Sequence, residues 1–330
     1  MRAAVLSRPE ELAVAEVDCP RPGAGEVLVE VAACGVCGHD QADYAGLLSL
    51  PLPAVLGHEI AGTVVAGGSR FAAGDRVAAK QFGTCGRCEP CGTGDELRCP
   101  HRAFLYGGFA EYAVLPESAL LPVPPEVSLP EAAVAACAVG TGLQALRRVA
   151  RVKPGETVLV TGAGGGLGLH AVQVAAALGA RVLALTGDPA KTEQLTKAGA
   201  AHVVLTGDGV WQDILDATDG RGADVVLDNT GHQPVFRQAF RALAHAGRYV
   251  LTGQVSGEPI RVHPAFVFEK EAVITGSGST LMTTFADALA LVAEGRVRPV
   301  VTPYPLEDAA RAFTDRITGR AVLIPSGGQP

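Results

Sequence analysis

The sequence predicts an α/β protein in which a β-rich unit is followed by a doubly wound parallel sheet of about six strands. Three observations lead there. From residue 1 to about 130, short β-like runs such as "EVLVEVAACG", "AGTVVAGG" and "DRVAAK" are interrupted by Gly and Pro at close intervals, with few long helical patterns. The stretch "VKPGETVLVTGAGGGLGLHAVQVAAALGARVLALTG" reads as an apolar strand, a glycine turn, an amphipathic helix and a second apolar strand, which is a βαβ unit. Beyond it, "AHVVL", "ADVVLDNTG", "GRYVLTGQ" and "EAVITGSG" are uniformly apolar runs, each preceded by a plausible helix, as strands buried on both faces should be. The tail from about 280 returns to mixed helix and strand, which suggests that the C-terminus completes the first domain.

Length and charge narrow the function. A chain of 330 residues has room for two domains of ordinary size. Its formal charge of −7, from 27 basic and 34 acidic residues, comes with no Lys- or Arg-rich run, so there is no electrostatic footprint for nucleic acid or an anionic membrane. Although 48% of residues are hydrophobic, no unbroken apolar run is long enough to span a bilayer, and "MRAAVLSRPEEL" lacks the apolar core of a secretory signal. A cytoplasmic protein acting on a small molecule is expected. Eight cysteines, four of them between 85 and 99, then argue for metal ligation rather than a secreted disulfide framework.

The turn "TGAGGGLG" places Gly162, Gly165, Gly166, Leu167 and Gly168 between a strand and a helix. Missing side chains there let backbone amides at a helix N-terminus approach a pyrophosphate; the bland alternative is a tight structural turn. NAD-binding versions carry an acid at the end of the second strand, but this strand ends in Thr186 and Gly187. Lys191 is placed to pair with a 2′-phosphate, while Asp188 is equally the N-cap of the next helix. NADP(H) is preferred on this reading, with NAD(H) as the alternative.

Two cysteine sets differ in kind. Cys85, Cys88, Cys91 and Cys99 form a CxxCxxCx7C array, whose four thiolates close a tetrahedral Zn²⁺ site with no open position, the mark of a structural site. Cys37 in "CGVCGHD", His58 and Glu59 in "GHE", and Cys137 are dispersed. Two thiolates and an imidazole would leave a fourth zinc position open, although Cys137 taken alone reads equally as a small buried hydrophobe.

These motifs, together with "GGFAEYAVLP" at 107–116 and "GRAVLIP" at 319–325, resemble the zinc-dependent medium-chain alcohol dehydrogenase superfamily over essentially the whole chain. The resemblance implies a GroES-like β-rich catalytic domain from residues 1–138 and 280–330, with the structural zinc lobe at 85–99, and a Rossmann-type domain at 139–279. It makes Cys37, His58 and Cys137 ligands of a catalytic zinc, the Cys₂His set known for alcohol dehydrogenase, with Glu59 behind the metal. Asp40 becomes the carboxylate that orients the ligating histidine, and Cys34 a non-ligand. Thr141, Thr230 and Gly253 fall in the cofactor site, and Arg320 falls on the cofactor's pyrophosphate. Two Zn²⁺ per chain and a homo-oligomer, dimer or tetramer, joined at the sheet edge near "EAVITGSG", are implied as well.

The activity implied is hydride transfer between a nicotinamide cofactor and an alcohol or carbonyl carbon. The glycine turn is closer to that of the quinone and enoyl reductase branch, so a 2-enoyl or quinone-type reductase using NADPH is the alternative. Typical members carry a Ser or Thr two residues after the ligand cysteine and a histidine three further on, forming a proton relay. Here those positions are His39 and Ala42. His39 is therefore either the acid-base group itself, since imidazole titrates near neutrality, or a residue that hydrogen-bonds a ribose hydroxyl or a loop carbonyl. Gln81 replaces an often aromatic pocket residue, which predicts a more polar or more open pocket.

Overall fold

A computed structural model describes residues 1–254 and 257–325. The chain divides into two units, residues 1–140 with 279–295 and 299 onward, and residues 141–278 with 296–298.

The first unit is organised by the strand Glu26–Gly35. Val27, Val29 and Val31 are buried and alternate with the half-buried Glu26, Leu28, Glu30 and Ala32, and the last three residues are all buried. This strand pairs antiparallel with Glu59–Gly67 along most of its length, with Tyr112–Pro116 over its first half and with Arg320–Ile324 at its end. Arg320–Ile324 runs parallel to Val301–Pro305, so the C-terminal segment is an integral part of this sheet. Val27, Val29, Val31, Ile60, Leu115, Leu120 and Leu323 are buried to 1% exposure or less and form the core. Each such aliphatic side chain stabilises the fold by about 1.5–3 kcal/mol relative to its exposed state.

The second unit is a six-stranded, all-parallel sheet in the order Ala200–Leu205, Arg181–Thr186, Thr157–Thr161, Ala223–Asp228, Leu243–Leu251, Val273–Gly276. Strand order therefore reverses between Thr157–Thr161 and Ala223–Asp228, and in open α/β sheets ligands bind beyond the carboxyl ends of strands at such a switch point. All five residues of Thr157–Thr161 are buried, its two terminal threonines included, as a strand covered on both faces requires. The β-rich unit and the doubly wound sheet expected from the sequence are both present.

The helical run Leu129–Val149 is long and apolar enough by length and composition to cross a membrane, with mean hydropathy 1.3, although Glu131, Thr141, Gln144 and two arginines interrupt it. Of its most apolar window 78% is buried inside the protein, as in the core helix of a globular fold.

Candidate functional site

Strand register decides where the ligand-type side chains of the first unit meet. Gly35 pairs with Glu59 on one side and with Val322 on the other. The turn after Gly35, the residues around His58 and the start of Arg320–Ile324 therefore converge at one end of the sheet. The Glu59 carboxylate lies so close over Gly35 that a Cβ there would stand 2.2 Å from Oε2, which only glycine avoids. Cys37 caps the short helix Gly38–Tyr44, and Asp40 of that helix accepts the Cys37 N–H at 2.9 Å and the Gly57 N–H at 3.1 Å. One fully buried carboxylate thus ties the Cys37 turn to the His58 turn, with its Oδ1 3.3 Å from His58 Nδ1. Cys137 arrives on the π-helical stretch Ala135–Val139, a wide winding that is frequent at functional sites.

Cys37, His58, Glu59 and Cys137 each offer one ligand atom, and these atoms all lie within 4.8 Å of one another. The two sulfurs are 3.7 Å apart. That matches the edge of about 3.8 Å in a tetrahedron with Zn–S bonds of about 2.3 Å, and both cysteines are free of disulfides. His58 Nδ1 and both Glu59 carboxylate oxygens are buried without an aligned hydrogen bond. Asp40 at 3.3 Å and Arg320 at 3.2 Å are close enough for ionic attraction only. Orphaned carboxylate oxygens in so buried a place are costly, and with His58 Nδ1 turned to Asp40 the set of two sulfurs, one imidazole and one carboxylate fits a thiophilic dication such as Zn²⁺.

The electrostatics point the same way. The Cys37 thiol is held well below the ordinary thiol range, first by the Cys137 sulfur and then, against burial, by Arg320 and His58. His58 rises well above its usual value because Asp40 and Cys37 outweigh the cost of burial. Burial pushes Glu59 up to about 7, with Arg320 opposing. A buried cluster that competes for protons in this way is built to hold a cation.

Arg320, expected on the cofactor's pyrophosphate, has another use in this structure. It is 6% exposed, its Nη2 lies 3.2 Å from Glu59 Oε1, and its Nη1 donates to the Val36 carbonyl at 3.2 Å. A carboxylate buried as deeply as Glu59 needs a counter-charge, and Arg320 supplies it.

His39 stands beside the cluster without belonging to it. Its ring stacks on Phe104 with centroids 4.4 Å apart and meets His58 edge-on at 5.7 Å. Its Nε2 lies 3.3 Å from Tyr106 Oη, which in turn donates to Asp43 Oδ2 at 3.2 Å. Asp43 is buried, and burial raises its carboxyl above the ordinary range while His39 opposes. Tyr106 is raised by burial and then by Asp43, so its hydroxyl remains a donor. Asp43, Phe104 and Tyr106 were not singled out in the sequence; the i, i+4 spacing of His39 and Asp43 on one helix was the available signal. Gln81 is buried and its side chain accepts from Ser279 at 3.1 Å, while the pairing of Phe82 with Phe104 sets an aromatic wall against His39 and His58.

Cys85, Cys88, Cys91 and Cys99 also gather their sulfurs within 4.8 Å. The Cys88–Cys91 and Cys85–Cys99 separations are 3.4 and 3.6 Å. Backbone N–H groups of Arg87 and Cys88 lower the Cys85 thiol, while the neighbouring sulfurs raise Cys88, so one thiolate is favoured at the expense of the next.

In the second unit, Gly162 (φ +57°) begins the glycine turn, Gly165 caps the helix Gly166–Ala177, and Leu167 and Gly168 lie in its first turn. A Cβ on Gly168 would lie 2.2 Å from the Gly162 carbonyl oxygen, so the cradle closes only with glycine. Lys191 Nζ donates to the Gly164 carbonyl at 2.9 Å, and Thr186 Oγ1 accepts the Asp188 N–H at 3.2 Å. Asp188 itself accepts the Ala190 N–H, the N-cap alternative read from the sequence. Thr230 lies against Gly162 and Gly253 against Asn229, while Thr141 is buried on the helical turn Gly140–Leu143. The open, glycine-built helix N-terminus fits a dinucleotide pyrophosphate.

Comparison with known proteins agrees with this geometry. Residues 23–125 match the family described as alcohol dehydrogenase GroES-like domain, and residues 166–294 match zinc-binding dehydrogenase. The acryloyl-coenzyme A reductase of Sulfurisphaera tokodaii is 32% identical over 91% of each chain. The NAD-dependent alcohol dehydrogenase of the same organism is 31% identical over 98% of this chain and 99% of its own. The crystal structure of an NAD-dependent alcohol dehydrogenase superposes with a TM-score of 0.90 at 35% identity, covering 98% of this chain and 99% of that one. The chain is an oxidoreductase and belongs to the zinc-dependent medium-chain dehydrogenase/reductase superfamily.

Proposed function

We propose that the protein transfers a hydride between a nicotinamide dinucleotide, NADP(H) by preference, and an alcohol or carbonyl carbon, with one Zn²⁺ at Cys37, His58 and Cys137 and a second in the four-cysteine lobe. The observation that carries this reading is the convergence of Cys37, His58, Glu59 and Cys137 on one point from three separate stretches of chain. A zinc ion held there supplies Lewis acidity toward a substrate oxygen.

The chain's own residues account for the rest. Asp40 holds the Cys37 and His58 turns together, and Arg320 balances Glu59 so that the pocket tolerates a buried carboxylate. His39 exchanges the proton with the substrate oxygen, and its Nε2 is linked through Tyr106 Oη to Asp43. That chain stands where the usual hydroxyl and histidine relay is missing. Phe104 fixes the His39 ring by stacking and keeps water from one side of it. Lys191, already folded over the glycine turn at Gly164, is the group assigned to a 2′-phosphate. The strand Val273–Gly276 is the sheet edge at which a second copy would add, and Val273 is 52% exposed there.

A second reading is supported by the aromatic wall of Phe82, Phe104 and Tyr106, which suits a flat conjugated acyl group, and by similarity to a protein named acryloyl-coenzyme A reductase. There the hydride goes to a conjugated carbon. A panel of alcohols, aldehydes, enones and enoyl thioesters, run with NADP(H) and NAD(H) and followed at the nicotinamide absorbance band, separates the two. Turnover of alcohols and aldehydes supports the first reading; turnover of enoyl thioesters alone replaces it with the second.

A further inference from the structure

Cys137 sits on a turn wound more widely than an α-helix, and a threonine from a distant stretch of chain is bonded to that turn. Within Ala135–Val139 the Gly140 N–H reaches back five residues to the Ala135 carbonyl, so the carbonyls here are out of line with the usual helical donors. Thr280 Oγ1 donates to the Ala136 carbonyl at 2.7 Å, and Thr280 is fully buried. That carbonyl belongs to the planar peptide leading into Cys137, so the bond fixes the plane from which the Cys137 side chain departs. Room for Thr280 comes from Gly140, where a Cβ would stand 2.9 Å from Thr280 Cγ2 and 3.0 Å from Thr280 Oγ1. Glycine within a helical run costs stability relative to alanine, and the seat for Thr280 accounts for it here.

Thr280 is in turn held from the four-cysteine lobe. Two residues on, the Met282 N–H, at the start of the helix Met282–Ala293, donates to Glu96 Oε1 at 2.5 Å. Glu96 lies in the lobe between Cys91 and Cys99, and its own carbonyl accepts the Cys99 N–H at 3.1 Å. The same Glu96 oxygen is 2.9 Å from Nζ of Lys80, which is fully buried. One residue before Thr280, Ser279 Oγ donates to Gln81 Oε1 at 3.1 Å. Both ends of Ser279–Met282 are therefore tied, one to the chain that enters the lobe and the other to the lobe itself. A buried ion pair such as Lys80–Glu96 adds little stability over an apolar pair of the same size. What this one supplies is a fixed acceptor for the backbone that follows Thr280.

We propose that Ser279–Met282 is a brace through which the four-cysteine lobe sets the Cys137 thiolate, with Thr280 as the positioning residue. This rests on the reading of Cys37, His58 and Cys137 as metal ligands, and it adds a dependence of that site on the lobe. The line runs from Glu96 through Met282 and Thr280 to the Cys137 peptide. Groups that hold a ligand in one orientation raise metal affinity without touching the metal, so the lobe does more than close its own loop.

The test reads metal retention by the zinc-loaded full chain in competition with a chromophoric zinc chelator, and Cys137→Ser, which keeps only the lobe zinc, supplies the lobe's own curve. Native protein whose curve coincides with that of Cys137→Ser refutes the ligand reading itself. Given a distinct native curve, Thr280→Val weakens zinc at the dispersed site about tenfold and leaves the lobe within about twofold. Thr280→Ser keeps the hydroxyl and retains zinc as the native protein does. Met282→Pro deletes only the N–H given to Glu96, at a first helical position that suits proline and after Leu281, whose backbone is already extended. It weakens the dispersed site about threefold and carries the test should Thr280→Val fail to fold. With cobalt in the dispersed site, both variants shift the visible bands that report the geometry around the metal. Native retention and native bands in Thr280→Val, even with a lowered melting temperature, overturn the proposal, as does equal weakening of the two sites. Native retention in Met282→Pro overturns the brace, and Thr280→Ser as impaired as Thr280→Val overturns the role of the hydroxyl.

Discussion

Cys37 and Cys137 are one hundred residues apart in the chain, and their sulfur atoms are 3.7 Å apart in the fold. Neither lies in a motif that would hold a metal alone. The strand register that sets Gly35 against Glu59 and the π-helical turn at Ala135–Val139 bring them together, so metal loading here reports the tertiary fold as well as the ligands.

Cys137→Ser therefore lowers the zinc content from near two to near one per chain, while Cys88→Ser empties the lobe and leaves the dispersed site loaded. Plasma emission analysis of desalted protein, with cobalt absorption spectra to identify the remaining site, checks both. Two zinc ions retained in Cys137→Ser would remove Cys137 from the ligand set.

His39→Ala lowers kcat by a factor of about 10²–10⁴ with zinc retained and changes its pH dependence, as expected on loss of a general acid-base. Tyr106→Phe cuts the link to Asp43 and gives a smaller loss, about tenfold. A His39→Ala enzyme with a native pH profile assigns His39 to hydrogen bonding alone.

Asp43 carries a pH signature in stability. Burial raises its carboxyl above the ordinary 3.8, so the folded state keeps a proton that the unfolded chain has released. The stability from this group is complete below pH 3.8 and is lost as pH rises through the folded pKa. Asp43→Asn removes that titration and can still accept the Tyr106 hydroxyl. Its melting temperature gains on the native protein as pH rises from about 4, and the gain levels off once the native Asp43 is ionised. Curves that run parallel from about pH 4 to about pH 8 contradict this.

Gly168→Ala places a methyl group 2.2 Å from the Gly162 carbonyl oxygen. Dinucleotide affinity falls more than about tenfold, because the helix N-terminus can no longer close on the turn. Lys191→Ala is milder and selective, raising Kd for NADPH about tenfold while leaving NADH nearly unchanged. Equal effects on the two cofactors would detach Lys191 from the 2′-phosphate.

Different parts of this account were legible in the sequence to different degrees. The parallel sheet was plain, because strands such as Thr157–Thr161 are buried on both faces and show it as unbroken apolar runs. Cys85, Cys88, Cys91 and Cys99 were plain because all four ligand candidates lie within one short loop. Cys137 needed the resemblance, since nothing local separates it from a packed small residue. The Tyr106–Asp43 link was hidden, because a two-residue strand pair, Phe82–Gly83 with Ala103–Phe104, sets the Phe104 and Tyr106 rings beside His39. The partner of Gln81 was hidden for a related reason, since Ser279, which donates to it, lies 198 residues on in the chain.

The most direct test of hydride transfer at the dispersed site is isotopic. The protein is given, in separate reactions, a carbonyl substrate and an enoyl thioester with the reduced dinucleotide carrying deuterium at both C4 positions of the nicotinamide, and the product is examined by mass spectrometry. The account predicts one deuterium on the carbinol carbon with native protein and none with Cys137→Ser, whose lobe stays loaded. Undiminished transfer by Cys137→Ser, or deuterium found only on a conjugated carbon of an enoyl substrate, would contradict it.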